Sequence, residues 1–307
     1  MKDANRLRPA GKMHADEVNI GLSLVRGLIA TQFPQWAKLP IEPVRSAGTD
    51  NAIFRLGEEM AVRLPRTQGA VAQVEKEQRW LPRLAPFLPL AIPVPLARGA
   101  LAEKYPWVWS VYRWLPGENS TVESIANPVQ TAIELAHFLA TLQRFDPTGG
   151  PAPGPHNFFR GVPLVKRDVA TRAAIASLDG MVNSVEAIAA WEEALAAPAW
   201  LDSPVWIHGD LQPGNLLVVE GQLSAVIDFG GLAVGDPACD LIVAWSVLSG
   251  EARDIFRDTL GVDAATWARG RGWALSFGLI ALPYYQTTNP VLAGIARHTI
   301  DEVLADY

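Results

Sequence analysis

The sequence is poor in the residues that build covalent staples and metal clusters. Its 307 residues include one cysteine, Cys239, which can close no internal disulfide and no multi-cysteine zinc or iron–sulfur site. Five histidines, His14, His137, His156, His208 and His298, show no metal-ligand spacing. Charged residues make up only 19% and the net charge is −6, which argues against a nucleic-acid binder, whose affinity needs a basic face. No uncharged apolar run reaches the roughly eighteen residues of a membrane span, and the stretch from Ile20 to Phe33 is interrupted by Arg26. The opening MKDANRLRPAGKMHADE has no apolar run like that of a signal peptide. A cytoplasmic protein with neither nucleic-acid nor membrane partners is expected. Lysine is missing from residue 200 onward, where thirteen Asp/Glu face five Arg for a net of −8; residues 1–199 carry +2.

What the chain does have is apolar bulk. Hydrophobic residues make up 49%, with eleven tryptophans, enough for a substantial core and too much for extended disorder. The length suits two domains, or one large domain with two lobes. Apolar spacing predicts a helix over 15–33, ended by Pro34. Short runs around 42–46, 52–56 and 60–64, split by turn residues, predict three antiparallel strands. A helix over 70–85 should kink at Pro82. A proline-rich edge over 90–96 and a strand over 107–115 follow, the latter with Trp107, Trp109, Tyr112 and Trp114 as core or hinge packing. Beyond Pro116-Gly117 the pattern is mostly helical: 128–145, 165–182, 185–196, 236–249, 251–260, 264–282 and 290–305. The Pro/Gly-dense segment 146–155 can only be a loop. The expected fold is α+β, with a β-rich lobe over 1–115 and a larger helical lobe over 116–307.

The chemistry concentrates between Val205 and Leu241. His208-Gly209-Asp210 is followed by Asn215, two short strands joined at Glu220-Gly221, and Asp228-Phe229-Gly230. A tight hairpin brings the polar ends of those strands together, so Asp210, Asn215 and Asp228 can converge. That donor set suits phosphoryl transfer from a nucleotide, because Mg²⁺ takes one or two hard protein oxygens plus phosphate oxygens. The strings match the kinase template H-R-D-L-x-x-x-N and D-F-G, with Gly209 in place of Arg. Asp210 is then the base for the attacking hydroxyl, and Asn215 and Asp228 are the metal ligands. Upstream, Met60-Ala-Val-Arg63 stands where the template has V-A-I-K. Arg63 would pair with nucleotide phosphates, steadied by Glu77 or, as second choice, Glu75. Ala47-Gly48-Thr49-Asp50-Asn51 holds the place of the phosphate-covering hairpin without being G-x-G-x-x-G. Its Gly48, Thr49 and Asn51 are candidate nucleotide contacts.

From about Val44 onward the chain resembles the aminoglycoside phosphotransferase-like small-molecule kinases. The resemblance rests on Gly48-Thr-Asp-Asn51, Val62-Arg-Leu-Pro65, Tyr112-Arg-Trp-Leu-Pro-Gly117, His208-Gly-Asp-Leu-Gln-Pro-Gly-Asn215, Ile227-Asp-Phe-Gly230, Gly235-Asp-Pro-Ala-Cys-Asp-Leu241 and Pro283-Tyr-Tyr285. It implies a bilobal protein-kinase-like fold, with the base at Asp210 and magnesium on Asn215 and Asp228. It also implies nucleotide-base recognition by the backbone near Arg113, Trp114 and Leu115, with Asp236 and Asp240 in structural roles. Gln143 stands where many relatives carry histidine. Only six residues separate Gly230 from Pro237 and no A-P-E follows, leaving no room for peptide docking.

The expected reaction moves the γ-phosphoryl group of ATP or GTP, with Mg²⁺, to a hydroxyl of a small molecule. The acidic C-terminal third points to a cationic acceptor such as an aminoglycoside. Alternatives are a macrolide kinase, or a metabolic kinase for a choline-like alcohol, an amino-alcohol or a sugar. Two readings from other classes are a silent nucleotide binder and a metal-dependent hydrolase. The segment His156-Asn157-Phe158-Phe159-Arg160 forms a rim with no chemistry assigned to it.

Overall fold

The computed structural model describes residues 18–44, 50–121 and 124–307. Strands β1 (Ile41–Pro43), β2 (Asn51–Leu56), β3 (Met60–Pro65), β4 (Pro95–Gly99) and β5 (Trp109–Arg113) form one antiparallel sheet in the order β1-β2-β3-β5-β4. Val62 and Leu64 of β3 are fully buried on one face, so Arg63, alternating with them, points to the other. Helix α1 (Leu22–Gln32) covers the apolar face through Val25, Leu28 and Ile29, which share a cluster with Phe54, Val62, Leu64 and Trp109.

Helix α2 (Val71–Leu84) runs past Pro82 rather than ending at it. Its buried stripe changes character along its length, from Gln73, Lys76 and Glu77 to Trp80, Leu81 and Leu84. The apolar half belongs to the larger core of the helical region, where Trp80 meets Trp206 edge-on at 4.6 Å.

The remainder comprises β6 (Glu118–Asn119), α3 (Pro128–Arg144), α4 (Asp168–Ser177), α5 (Ser184–Ala196), β7 (Val205–Ile207), β8 (Leu216–Val219), β9 (Gln222–Val226) and β10 (Ala233–Gly235). It ends with α6 (Val243–Ser246), α7 (Gly250–Leu260), α8 (Ala264–Tyr285) and α9 (Pro290–Ala305). Strands β6, β8 and β9 form a small sheet, and β7 pairs with β10. Asn127, Asp263 and Asn289 cap α3, α8 and α9 through side-chain oxygens.

Several expected elements differ. The helix expected over 15–33 begins only at Leu22. The edge run at 90–96 pairs later, over 95–99. The expected helix at 165–182 is 3₁₀ turns followed by α4, which stops at Ser177. The expected helix at 236–249 is a 3₁₀ stretch, Pro237–Ile242, before the single turn of α6. There the buried Asp240 must reach the amides of His208 and Gly209, and tertiary demand overrides helical spacing.

Candidate active site

Arg63 sits in the middle of the sheet, between Ile53 and Ser110 in register. Its Nη1 donates to Glu77 Oε1 at 2.7 Å and its Nη2 to Asp228 Oδ1 at 2.7 Å. With its amide oxygen turned toward Arg63, Asn51 accepts from Nη2 at 2.9 Å and Nε at 3.1 Å. The Tyr112 hydroxyl donates to the other oxygen of Glu77. Burial opposes the charge on Arg63, but the carboxylates of Glu77 and Asp228 outweigh it and hold the guanidinium above its ordinary pKa. Burial likewise pushes Asp228 up, and Arg63 more than reverses this, so its carboxyl titrates below the usual range. Glu75, the second candidate, instead pairs with Arg98 at 2.9 Å on the surface.

The loop after β7 is braced from within. Asp240, fully buried, accepts from the amides of His208 and Gly209, each at 2.7 Å. Burial raises its pKa even against those bonds. His208 Nε2 bonds the carbonyl of Ile227 at 3.0 Å and its Nδ1 accepts from the amide of Asp210 at 3.2 Å, which fixes one tautomer. Gly209 has φ +83, and a Cβ there would lie 2.4 Å from the carbonyl oxygen of Gly231; no other residue fits this crossing. The pairing of Leu216 with Val226 sets Asn215 beside Ile227, whose amide donates to the Asn215 carbonyl at 2.8 Å. Asp228 comes next, in a left-handed conformation with φ 61.

Asn215 Nδ2 donates to Asp210 twice, to Oδ2 at 2.9 Å and to the main-chain oxygen at 2.7 Å. This assigns nitrogen toward Asp210 and leaves Asn215 Oδ1 uncommitted. Asp228 spends Oδ1 on Arg63 and the Gly230 amide, leaving Oδ2. One amide oxygen and one carboxylate oxygen is the donor set Mg²⁺ accepts when phosphates supply other ligands. Among the described residues there is no cluster of three or more His, Cys, Asp or Glu that could hold a metal alone.

A profile of the phosphotransferase enzyme family matches residues 41–273. The chain belongs to that family. No curated protein sequence matches it. Solved structures share the fold at low identity. A mutant of aminoglycoside 2'-phosphotransferase-IIIa in complex with GDP aligns with TM-score 0.71 at 19% identity, over 93% of this chain and 98% of that one. The streptomycin–ATP ternary complex of APH(2")-IIa gives 0.57 at 18%, over 92% and 99%. The macrolide 2'-phosphotransferase MphH from Brachybacterium faecium, as apoenzyme, gives 0.58 at 22%, over 91% and 97%. The bilobal kinase-like architecture is therefore that of a family phosphotransferase.

Within this phosphotransferase, Asp228, Arg63, Glu77 and Asn51 form one hydrogen-bonded group and Asp210 with Asn215 a second beside it. Gly48 and Thr49 lie outside the described residues. At the sheet's exit, the amide hydrogens of Arg113 and Trp114 are already bonded to the carbonyls of Val94 and Glu59, at 2.9 and 2.7 Å. The Trp114 ring lies under the Arg55 guanidinium.

Sequence reasoning missed several participants. Lys76 donates to the carbonyl of Gly230 at 2.6 Å and contacts His156 Nδ1 at 3.3 Å. Burial lowers its pKa to about 8. Asn157, fully buried, donates to the carbonyls of Arg160 and Gly231. Arg160 reaches Asp210, Nη2 to Oδ1 at 3.5 Å. Lys76 adjoins Glu77 and was within reach of the helical spacing; the 154–161 loop has no period from which to read a direction.

Proposed function

We propose that the protein transfers the γ-phosphoryl group of ATP or GTP to a hydroxyl of a small molecule, with residues 116–307 supplying the catalytic loop and the acceptor side. One observation carries the reading: the base with one metal donor, and the phosphate-pairing cation with the other, form two hydrogen-bonded groups set side by side by the main-chain bond from the Ile227 amide to the Asn215 carbonyl. One group is Asp210 with Asn215; the other runs from Asp228 through Arg63 to Glu77. Asp210 Oδ1 accepts the proton of the acceptor hydroxyl as its oxygen attacks, while Asn215 holds Oδ2 and so fixes the carboxylate's orientation. Asn215 and Asp228 would hold Mg²⁺, which supplies charge neutralisation on the phosphates. Arg63 would add positive charge beside the phosphate oxygens, its guanidinium held in place by Glu77, Asp228 and Asn51. Positioning and electrostatics carry most of the acceleration in such transfers.

The acceptor we assign first is a cationic aminoglycoside-type antibiotic. Asp236 is spent on Arg269, Asp263 on the α8 cap, and Glu302 and Asp306 on Arg253. Asp202, Glu220, Glu251, Asp254, Asp258 and Asp301 remain exposed, so the helical region keeps a negative field that draws cations. A second reading, a macrolide-type acceptor, is favoured by Phe158 and Phe159. They stand 64% and 52% exposed next to Arg160 and offer an apolar face at the site's edge. The test is nucleoside diphosphate release across aminoglycosides, macrolides, choline and amino-alcohols, run beside Asp210→Asn. Turnover on one class that the variant loses supports the reading. Wild-type turnover in the variant overturns Asp210 as base, and phosphate release without a phosphorylated acceptor favours a hydrolase.

A further inference from the structure

Among the described residues, Arg160 is a cation at this site whose bonding is left incomplete. Its Nη2 stands 3.5 Å from Asp210 Oδ1, longer than the roughly 2.7–2.9 Å of a charge-assisted hydrogen bond. Its Nη1 is buried without any partner, a condition native proteins avoid unless the group serves a purpose. The neighbouring cations are committed: Arg63 to Glu77 and Asp228, Lys76 to the Gly230 carbonyl, and Arg167 to Ser276 Oγ at 2.8 Å and the face of Trp273.

The loop that carries Arg160 is held firmly. Gly154 donates its amide to Asn157 Oδ1 at 2.9 Å, and the Asn157 amide group bonds the carbonyls of Arg160 and Gly231. The Asp236 amide bonds the Gly161 carbonyl at 2.9 Å. Phe158 and Phe159 both have positive φ, 54 and 56, a strained pair for bulky residues and of the kind concentrated at functional sites. The Phe277 ring lies beneath the guanidinium, 5.8 Å from centroid to Cζ. An arginine fixed this closely yet incompletely bonded is presented to a ligand.

We propose that Arg160 binds the transferring phosphoryl group, so that the loop after α3 supplies in cis the charge that stabilises its oxygens. The inference rests on the phosphotransferase reading. In that reaction the acceptor oxygen bonds the γ-phosphorus while its proton passes to Asp210 Oδ1. The bond from the phosphorus to the β,γ-bridging oxygen breaks, and its electron pair leaves with the nucleoside diphosphate. The acceptor oxygen sits about 2.6–3.2 Å from Asp210, and the phosphorus about 3–3.5 Å beyond it before attack. A guanidinium already touching Asp210 Oδ1 is then within reach of the phosphoryl oxygens, where Nη1 finds the acceptor it lacks. An arginine placed this way accelerates phosphoryl transfer by about 10³–10⁵-fold in other nucleotide enzymes.

The test needs no knowledge of the acceptor. Affinity is measured by tryptophan fluorescence for Mg·ADP alone and for Mg·ADP with aluminium fluoride, a phosphoryl mimic, in wild type, Arg160→Gln and Arg160→Lys. Wild type should bind the fluoride complex more tightly. Arg160→Gln should lose that gain by on the order of 10²-fold with Mg·ADP affinity almost unchanged, and Arg160→Lys should recover part of it. An Arg160→Gln protein that keeps the full gain overturns the proposal, as does an equal loss of both affinities, which marks a structural residue. Circular dichroism and urea unfolding of both variants separate misfolding from lost contact. A wild type that binds no nucleotide at all overturns the phosphotransferase reading itself, and this inference with it.

Discussion

The β3–α2 side of the site and the catalytic-loop side are built on opposite plans. On the first, Arg63 and Glu77 have side chains only 13% and 2% exposed, and both carboxylate oxygens of Glu77 accept a bond. On the second, the backbone is braced by Asp240 and His208, yet the carboxylates of Asp210 and Asp228 stay 32% and 40% exposed. The difference follows from the task. On the proposed function, a group that anchors charge gains from burial and pairing, whereas one that exchanges protons or ligands must stay reachable. Substitution on the catalytic-loop side should therefore cost rate, and on the β3–α2 side it should cost stability as well.

The sharpest break of this contrast is Asp210→Asn. Turnover should fall by about 10²–10⁴-fold, while urea unfolding moves by no more than about 0.5 kcal/mol. Arg63→Ala should do the reverse in unfolding, losing about 3–5 kcal/mol because Glu77 is left buried and unpaired. Equal unfolding costs for the two variants would erase the distinction. Tyr112→Phe removes one donor to the buried Glu77 carboxylate and should cost about 1.5–3 kcal/mol, read in the same assay.

The smallest effect is pH-dependent and belongs to Lys76. Its folded pKa of about 8 lies below the ordinary 10.5, so between those values the unfolded chain binds more protons than the folded one. Stability should rise with pH across that window, the penalty for burying the charge being fully present below about pH 8. Lys76→Met should flatten the rise, measured as unfolding free energy from pH 7 to 10.5.

Much of this was readable from residue order alone. The run from His208 to Asn215 and the string at Asp228 fix spacing along a hairpin, and a hairpin's register is a local property. Arg63 and Glu77 were legible because strand alternation and helical period each give a side chain a direction. Arg160 was not, because a loop of prolines, glycines and left-handed residues has no repeat, and its partner lies fifty residues away. The stretch 236–249 misled for a related reason. Its apolar spacing is helical, but Asp240's duty to two distant amides tightens the turns.

The seating of α2 has a bearing on control. In protein kinases, the placement of the helix carrying the paired glutamate is a point of regulation. Here the helix that carries Glu77 is rooted by Trp80, Leu81 and Leu84 in the large core. Swinging it outward would expose side chains whose burial contributes about 1.5–3 kcal/mol each. Displacing this helix is therefore a costly way to separate Glu77 from Arg63.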